Sequence, residues 1–268
     1  MKDKVVIITG GSSGIGRALA FAFGTRGSKV LITGRREEEL TKTRHELEAA
    51  GVTVATLVAD AANESDNRRM AEEAVIRFGR IDILIANAGI SMRALFEDVD
   101  IAVIRQVMEI NFFGVVYATH YCLPEIKRNG GSIVGISSIA GYRGLPARSG
   151  YTASKFALNG FLETLRTEYL KENVHVLTAC PGFTASNIRT RALTKDGTAQ
   201  GASSLDEGSV MTAEAVAGYI YKAVVRRKRQ IILTTEGRMA VFLNKWWPWL
   251  ADRLVYNALK KEPNSPLK

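Results

Sequence analysis

The sequence predicts one doubly wound α/β domain, in which a parallel sheet of about seven strands carries helices on both faces. Two observations support this. Seven short runs rich in Val, Ile and Leu recur along the chain, and segments of helical length separate them. Most of the runs are apolar on both faces, as expected for strands buried inside a sheet. Strands that alternate with helices in this way form a parallel sheet with helices on both sides.

The predicted elements follow in order along the chain. The predicted strands are residues 5–8, 30–32, 54–58, 83–85, 133–134, 174–177 and 231–233. The predicted helices are, approximately, residues 14–27, 36–50, 64–79, 100–128, 150–172 and 212–228. Residues 183–210, rich in Thr, Ser, Gly and Ala, interrupt the alternation, and a long loop after a strand is expected to cover a site. We therefore assign residues 1–235 to one Rossmann-type domain that includes residues 183–210 as its substrate loop. Residues 236–268 form a C-terminal helical extension of that domain.

Composition narrows the class of protein. The 268 residues are 46% hydrophobic and 24% charged, values typical of a globular domain. Two cysteines, Cys122 and Cys180, are too few for a disulfide scaffold and favour a reducing compartment. The first apolar stretch stops at Gly10, too early for a signal-peptide core or a membrane span. The expected location is therefore the cytoplasm.

The net charge of +9 leaves several partners open: nucleic acid, an anionic membrane, an acidic protein or a polyanionic cofactor. The densest basic run, residues 226–229, lies where a helix should end, and cations there suit the helix dipole. No aromatic residue interleaves it, as single-stranded nucleic acid would require. We expect no nucleic-acid partner. His45, His120 and His175 have no metal-like spacing, so no metal site is expected either.

A glycine-rich turn joins the first predicted strand to the first helix. Glycines at 10, 14 and 16 let the backbone turn sharply and approach a pyrophosphate closely, and the helix N-terminus adds amides and a positive dipole. The spacing G-x-x-x-G-x-G differs from G-x-G-x-x-G, but its position after the first strand is the one that dinucleotide binding requires. The candidate cofactor-binding residues here are Gly10, Ser12, Ser13, Gly14, Ile15 and Gly16.

The end of the second strand indicates which dinucleotide binds. An acidic residue here usually holds the ribose hydroxyls of the adenosine, but this chain has Gly34, followed by Arg35 and Arg36. A guanidinium binds a phosphate dianion that a carboxylate would repel. The sequence therefore predicts NADP(H). Two solvated arginines at a helix start are the alternative, which the helix dipole disfavours.

Two further strand ends carry candidate cofactor contacts. Asp60 follows the third strand and is expected either to accept from the adenine amino group or to cap the next helix. Asn87, Ala88 and Gly89 follow the fourth strand, where small residues let the chain pass close to a ligand.

The stretch from Ser138 to Lys155 carries the chemistry. Tyr151 and Lys155 are four residues apart near the start of a helix, so they share a face. Tyrosine has a pKa near ~10, and a nearby ammonium is expected to lower it and make the phenol a usable acid or base. Ser138, at a strand end, can orient a substrate oxygen.

With these motifs the chain resembles the short-chain dehydrogenase/reductases, in their compact single-domain form. The resemblance covers about residues 4–235. It rests on residues 9–16, 87–89, 151–155 and 181–182 together with Asn111 and Ser138. The resemblance implies a catalytic tetrad of Asn111, Ser138, Tyr151 and Lys155. In it Tyr151 is the general acid/base, Ser138 positions the carbonyl or alcohol, Lys155 binds the nicotinamide ribose, and Asn111 holds a water in the proton relay.

The same resemblance implies contacts after the sixth strand. Pro181 and Gly182 belong to a family stretch that ends in a carboxamide-binding Thr; Ser186 occupies that position here, and Thr184 is the near alternative. Many NADP-binding members carry a cation immediately before the second glycine, where this chain has Ser13. The prediction of NADP(H) therefore rests on Arg35, helped by Ser12 and Arg36.

The C-terminal segment departs from the minimal family pattern. It holds all three tryptophans, at 246, 247 and 249. An apolar helical stripe follows, formed by Leu250, Leu254, Val255, Ala258 and Leu259. Within the family this segment most resembles 11β-hydroxysteroid dehydrogenase-like members, which often act on lipophilic ketones or alcohols at membranes. It is expected to pack over the cleft or at a subunit interface, and interfacial membrane contact is the alternative.

These features predict an NADP(H)-dependent oxidoreductase that interconverts a ketone or aldehyde and an alcohol, with a lipophilic small molecule as substrate. The family resemblance implies a homodimer or homotetramer. It also suggests a lining of the substrate cleft, namely Met92, Phe96, Leu145, Phe183, Leu193 and Trp246. The alternatives are a 3-oxoacyl-(acyl carrier protein) or 3-ketosphinganine-type reductase and, from another class, a non-catalytic NADP(H)-binding sensor.

Overall fold

A seven-stranded sheet forms the centre of the computed structural model, which describes residues 1–182, 184, 188–201, 210–262 and 265–267. The strands are β1 (Val5–Thr9), β2 (Lys29–Gly34), β3 (Val54–Val58), β4 (Ile83–Ala86), β5 (Ser132–Ile136), β6 (His175–Cys180) and β7 (Gln230–Ile232). All neighbouring strands are parallel, in the order β3-β2-β1-β4-β5-β6-β7. The predicted doubly wound α/β fold is confirmed.

Helices occupy the connections and the C-terminal segment. They are α1 (Gly14–Gly24), α2 (Glu37–Ala49), α3 (Glu64–Phe78), α4 (Ile101–Met108), α5 (Gly114–Arg128), α6 (Ser149–Glu168), α7 (Ala213–Val225), α8 (Thr235–Trp246) and α9 (Pro248–Lys260). The predicted helix at 100–128 is two helices, α4 and α5, joined by a π-helical turn at Glu109–Phe113. Such turns often occur at functional sites, and this one contains Asn111.

Alternating side chains of the strands build a core on each face of the sheet. In β1, Val6 and Ile8 pack into a cluster with residues of α1, α2 and α7, whereas Ile7 packs into a cluster with residues of α3, α5 and α6. All three side chains are fully buried. This is the two-sided burial that the apolar strand runs predict.

Helices α4 and α5, with the π-helical turn between them, form one long apolar helical segment. Residues 101–128 are long and apolar enough to cross a membrane by length and composition alone. The same property is common in helices of a protein core, and Val115, Ala118 and Cys122 of α5 pack into the cluster beneath the sheet.

The C-terminal helices are fixed to the loop after β5. The Asn244 amide of α8 donates to the Tyr142 carbonyl (2.8 Å), and the Arg143 guanidinium donates to Asn244 Oδ1 (2.8 Å). Arg143 also pairs with Asp252 of α9. These contacts place α8 and α9 beside the carboxyl ends of the strands.

Candidate active site

A cavity of about 910 Å³ opens at the carboxyl ends of the strands. The strand order reverses between β1 and β4, the position at which open α/β sheets bind their ligands. The predicted site residues that line it are Gly10, Ser12, Ser13, Gly14, Ile15, Arg35, Arg36, Asp60, Asn87, Ala88, Gly89, Ser138, Tyr151, Lys155, Pro181, Gly182 and Thr184. Gly16 and Asn111 contact this lining from behind. The predicted carboxamide contact Ser186 lies outside the described residues, as does Phe183.

The glycine-rich turn fits a pyrophosphate. Gly10 and Gly14 have φ values of 64° and 52°, which L side chains rarely adopt. A Cβ on Gly16 would lie 2.2 Å from the Gly10 carbonyl oxygen, so this glycine allows the helix to start close to the turn. The N-cap residue of α1, Ser13, makes no side-chain capping bond, and the first turn holds no acid. The amides at this helix start therefore keep their capacity for an anion.

The segment after β4 supports the turn. The Asn87 amide donates to the carbonyls of Thr9 (2.9 Å) and Gly10 (3.1 Å), while the Thr9 hydroxyl accepts from the backbone amides of Asn87 and Ala88 (3.0 Å each). Asn87 thus fixes the strand ends of β1 and β4 against each other beneath the cavity.

Arg35, Arg36 and Asp60 line one end of the cavity, beside the ends of β2 and β3. Asp60 Oδ1 accepts from the Ala62 amide (3.0 Å), which forms a local turn. The cap of α3 is Asn63, whose side chain accepts from the amides of residues 65 and 66. The alternative in which Asp60 caps the next helix is therefore wrong, because the chain makes one more turn before the helix begins.

The predicted catalytic side chains come together beside this cavity. Ser138 lies two residues after the end of β5, and its Oγ accepts from the Ala140 amide (3.2 Å). Tyr151 and Lys155 lie in the first turns of α6 on one face, with Lys155 Nζ 5.7 Å from the centroid of the Tyr151 ring. Lys155 is 5% exposed, and its Nζ donates to the Ile136 carbonyl (2.9 Å).

The electrostatics of Tyr151 differ from the sequence-based expectation. Burial raises the pKa of Tyr151, while a hydrogen bond with Ser138 and the charge of Arg148 oppose that rise. The expectation that Lys155 lowers this pKa is not met in this arrangement, because the ammonium faces the Ile136 carbonyl. Burial also lowers the pKa of Lys155 itself, to about 8.

Asn111 is fully buried in the π-helical turn. Its Oδ1 accepts from the Ile90 amide (2.8 Å), and its Nδ2 donates to the Ile90 carbonyl (2.9 Å) and to Ser154 Oγ (2.9 Å). The side chain is thus committed to holding the segment after β4 against α6.

The sequence predicted only some of the residues that form the apolar wall of the cavity. Of the suggested lining residues that the structure describes, Leu145 lies in the cavity. Met92 and Leu193 pack with each other in a separate buried cluster, while Phe96 and Trp246 are exposed on the surface. The apolar wall is instead formed largely by Ile139, Ala240, Val255, Ala258 and Leu259. The last three belong to the predicted C-terminal stripe, which packs over the cleft.

Three arginines in the cavity lining were not singled out from the sequence. Arg148 precedes α6 and pairs with Glu262 (2.9 Å). Arg189 and Arg191 come from the segment after β6, and the Arg189 guanidinium donates to the Thr184 carbonyl (3.1 Å). No local pattern marks them, because their position depends on how distant segments pack.

Together these residues fit a dinucleotide and a carbonyl or alcohol. The turn after β1 offers amides to a pyrophosphate, the arginines after β2 offer charge to a phosphate, and Lys155 offers a buried donor for ribose hydroxyls. Ser138 and Tyr151 supply two neighbouring hydroxyls for one substrate oxygen. Among the described residues, no group of three or more His, Cys, Asp or Glu side chains could hold a metal ion.

Comparison with known proteins agrees with this geometry. A family model described as short chain dehydrogenase matches residues 4–197. The mouse protein "Dehydrogenase/reductase SDR family member 7B" is 36% identical over 271 residues, which cover 99% of this chain and 84% of the mouse protein. A Dictyostelium discoideum "Dehydrogenase/reductase SDR family protein 7-like" is 33% identical over 262 residues, which cover 95% of this chain and 81% of that protein.

Solved structures show the same fold. A short chain dehydrogenase/reductase from Burkholderia phymatum, in complex with NAD, superposes with a TM-score of 0.82 at 25% identity, covering 93% of this chain and 95% of that one. An alcohol dehydrogenase from the archaeon Thermococcus sibiricus, complexed with 5-hydroxy-NADP, has a TM-score of 0.76 at 24% identity, covering 86% and 95%. The latter likeness concerns the fold alone.

Proposed function

The chain belongs to the short-chain dehydrogenase/reductase family of oxidoreductases, and from this we propose that it is an NADP(H)-dependent enzyme that interconverts a lipophilic ketone or aldehyde and its alcohol. The observation that carries the proposal is the meeting of Ser138, Tyr151 and Lys155 in one cavity with the glycine-rich turn. A non-catalytic sensor would have no need of this set.

Tyr151 transfers the proton in this proposal. In reduction, the Tyr151 hydroxyl gives its proton to the carbonyl oxygen while Ser138 donates a hydrogen bond to the same oxygen. In oxidation, the Tyr151 phenolate takes the proton of the alcohol, and Ser138 still donates to that oxygen. The hydride comes from, or goes to, a bound nicotinamide cofactor. The charge of Arg148 opposes the rise in the Tyr151 pKa, and Lys155, whose Nζ lies 5.7 Å from the centroid of the Tyr151 ring, would bind the ribose of the nicotinamide. Asn111 positions this site by holding residue 90 against α6.

Arg35 supports the choice of NADP(H) over NAD(H). Its guanidinium lines the cavity and lies 3.9 Å from Asp60, too far for a hydrogen-bonded pair. The Arg35→Ala change is expected to weaken NADPH binding by about 1.5–3 kcal/mol and to leave NADH binding nearly unchanged. A titration in which the unmodified protein binds NADH as tightly as NADPH would refute this cofactor assignment.

The apolar wall supports a lipophilic substrate. Ile139, Leu145 and Leu259 face the cavity, and the charge of Arg148 is paired with Glu262. A panel of carbonyls and alcohols assayed by NADPH absorbance tests this proposal. It should include steroid-like ketones, 3-oxoacyl thioesters and 3-ketosphinganine. Turnover confined to acyl thioesters or to 3-ketosphinganine would favour the alternative reductases, and no turnover with any compound would favour the sensor.

We also propose that the protein is cytoplasmic, with its C-terminal helices in peripheral contact with a membrane. Trp246 and Trp249 are each 60% exposed, and Lys245 and Arg253 lie beside their rings at 5.5 and 5.9 Å from the centroids. Tryptophans with neighbouring cations suit a membrane interface. Both cysteines are free and buried, which suits a reducing compartment. Sedimentation with vesicles containing anionic lipid tests this contact, and binding that is unaffected by Trp249→Ala would count against it.

A further inference from the structure

A third arginine lies close to Arg35 and Arg36, although it is remote from them in sequence. Arg191 belongs to the segment after β6 and lines the same cavity. Burial lowers its pKa, and the charges of Arg36 and Arg35 lower it further while Glu39 opposes them. The three guanidinium groups are therefore near enough to repel one another.

None of the three charges has a hydrogen-bonded anionic partner among the described residues. Arg35 lies 3.9 Å from Asp60 and Arg36 lies 3.8 Å from Glu39, both longer than a hydrogen bond. Arg191 forms no hydrogen bond or salt bridge with the described part of the chain. All three side chains are exposed to solvent at one end of the cavity, and a phosphate dianion is an anion that guanidinium groups bind well.

The segment that carries Arg191 is anchored by backbone hydrogen bonds immediately after this residue. The Leu193 amide donates to the Ser91 carbonyl (2.9 Å), and the Arg93 amide donates to the Leu193 carbonyl (2.8 Å). Further along, the Asp100 amide donates to the Lys195 carbonyl (2.9 Å). The backbone just beyond Arg191 is thus tied to the segment after β4, while Arg191 itself lines the cavity.

We propose that Arg191 is a specificity-determining residue that binds the 2′-phosphate of NADP(H) together with Arg35 and Arg36. The inference rests on the proposed preference for NADP(H). It assigns to the segment after β6 a role at the adenosine end of the cofactor, in addition to its place over the substrate. Cofactor binding would then tie this segment to the end of β2.

The test compares Arg191→Gln with Lys195→Ala in the whole 268-residue chain without cofactor. Lys195 is an exposed cation of the same segment outside the cavity lining, so its loss matches the change in net charge. Arg191→Gln is expected to raise the Kd for NADPH about tenfold, as loss of a charge-assisted hydrogen bond does, with the Kd for NADH unchanged within about twofold. The Kd of Arg191→Lys for NADPH should lie between those of the unmodified protein and Arg191→Gln, because lysine keeps the charge and lacks the planar guanidinium fork. Arg191→Gln should also bind the probe 2′-AMP more weakly than the unmodified protein does, whereas its affinity for 5′-AMP should be unchanged.

The outcomes separate this inference from the proposed function. If the unmodified protein does not prefer NADPH, the proposed cofactor preference fails. If it prefers NADPH and Arg35→Ala removes the preference, but Arg191→Gln binds NADPH normally, only the role of Arg191 is overturned. Equal losses of NADPH and NADH affinity in Arg191→Gln would indicate a structural role and would also overturn the inference. A loss of NADPH affinity in Lys195→Ala as large as that in Arg191→Gln would overturn the inference as well.

Discussion

Glu262, beyond the last helix, lies 2.9 Å from the guanidinium of Arg148, three residues before Tyr151. The same carboxylate lies 3.2 Å from Arg93, on the segment after β4. The side chains of Glu262 and Arg93 are each 7% exposed, so this is a largely buried cluster. It joins the end of the chain to the start of the catalytic helix and holds the apolar stripe of α9 over the cavity.

We predict that Glu262→Gln destabilises the protein by about 1–3 kcal/mol, because two largely buried arginines lose their shared carboxylate. The KM for a lipophilic substrate should rise as α9 loosens, with NADPH affinity unchanged. The control is Glu48→Gln, which removes one partner of an exposed pair with Arg44 on α2 and should cost less than about 0.5 kcal/mol. Urea denaturation measures both variants, and equal stabilities would contradict the role given to Glu262.

Tyr151→Phe keeps the ring and removes only the hydroxyl. We expect kcat to fall by at least ~10²–10⁴-fold, the usual worth of general acid/base catalysis, with NADPH affinity nearly intact. Ser138→Ala should also lower turnover and spare cofactor affinity, because its hydroxyl faces the substrate oxygen. Tyr219→Phe, on the exposed face of α7, is the matched control and should leave kcat unchanged. Near-normal turnover by Tyr151→Phe would rule out the mechanism.

Assembly can be tested on the exposed faces of α5 and α6. Phe113, immediately before α5, and Phe156, on α6, are 38% and 45% exposed, whereas Val107 and Leu165 are buried in the core. Sizing with light scattering should show more than one subunit, and Phe156→Glu should shift the population to smaller species. Ile76→Glu, a comparable change on exposed α3, should not. A single-subunit mass for the unmodified protein at micromolar concentration would refute the prediction.

The local sequence pattern was sufficient to predict the parts of the site that lie at or near strand ends. The glycine turn, Ser138, Tyr151 and Lys155 are each fixed by a neighbouring strand or helix, so their spacing in sequence predicts their meeting in space. The stripe of Val255, Ala258 and Leu259 indicated an apolar face to be buried, but not which surface would cover it.

Long-range pairs could not be predicted in the same way. Arg148 and Glu262 are 114 residues apart, and neither residue carries a local signal that names its partner. The family resemblance suggested Met92 and Leu193 as cleft residues; they instead pack on each other, since an isolated bridge pairs their backbones. The pKa of Tyr151 depends on burial and on where Lys155 points, and a four-residue spacing determines neither.

The burial of Lys155 makes stability depend on pH in a direction that can be measured. Its pKa is about 8 in the folded protein and 10.5 ordinarily, so above pH 8 the unfolded chain keeps a proton that the folded chain has lost. The free energy of unfolding of the cofactor-free protein should therefore gain roughly 1–2 kcal/mol from this group between about pH 8 and pH 9.5. Lys155→Met should remove that gain, whereas Lys222→Met, at an exposed position on α7, should retain it. Urea denaturation at both pH values measures the difference from the unmodified protein. Identical pH dependence in the unmodified protein and Lys155→Met would show that the amine is not held in a desolvated site.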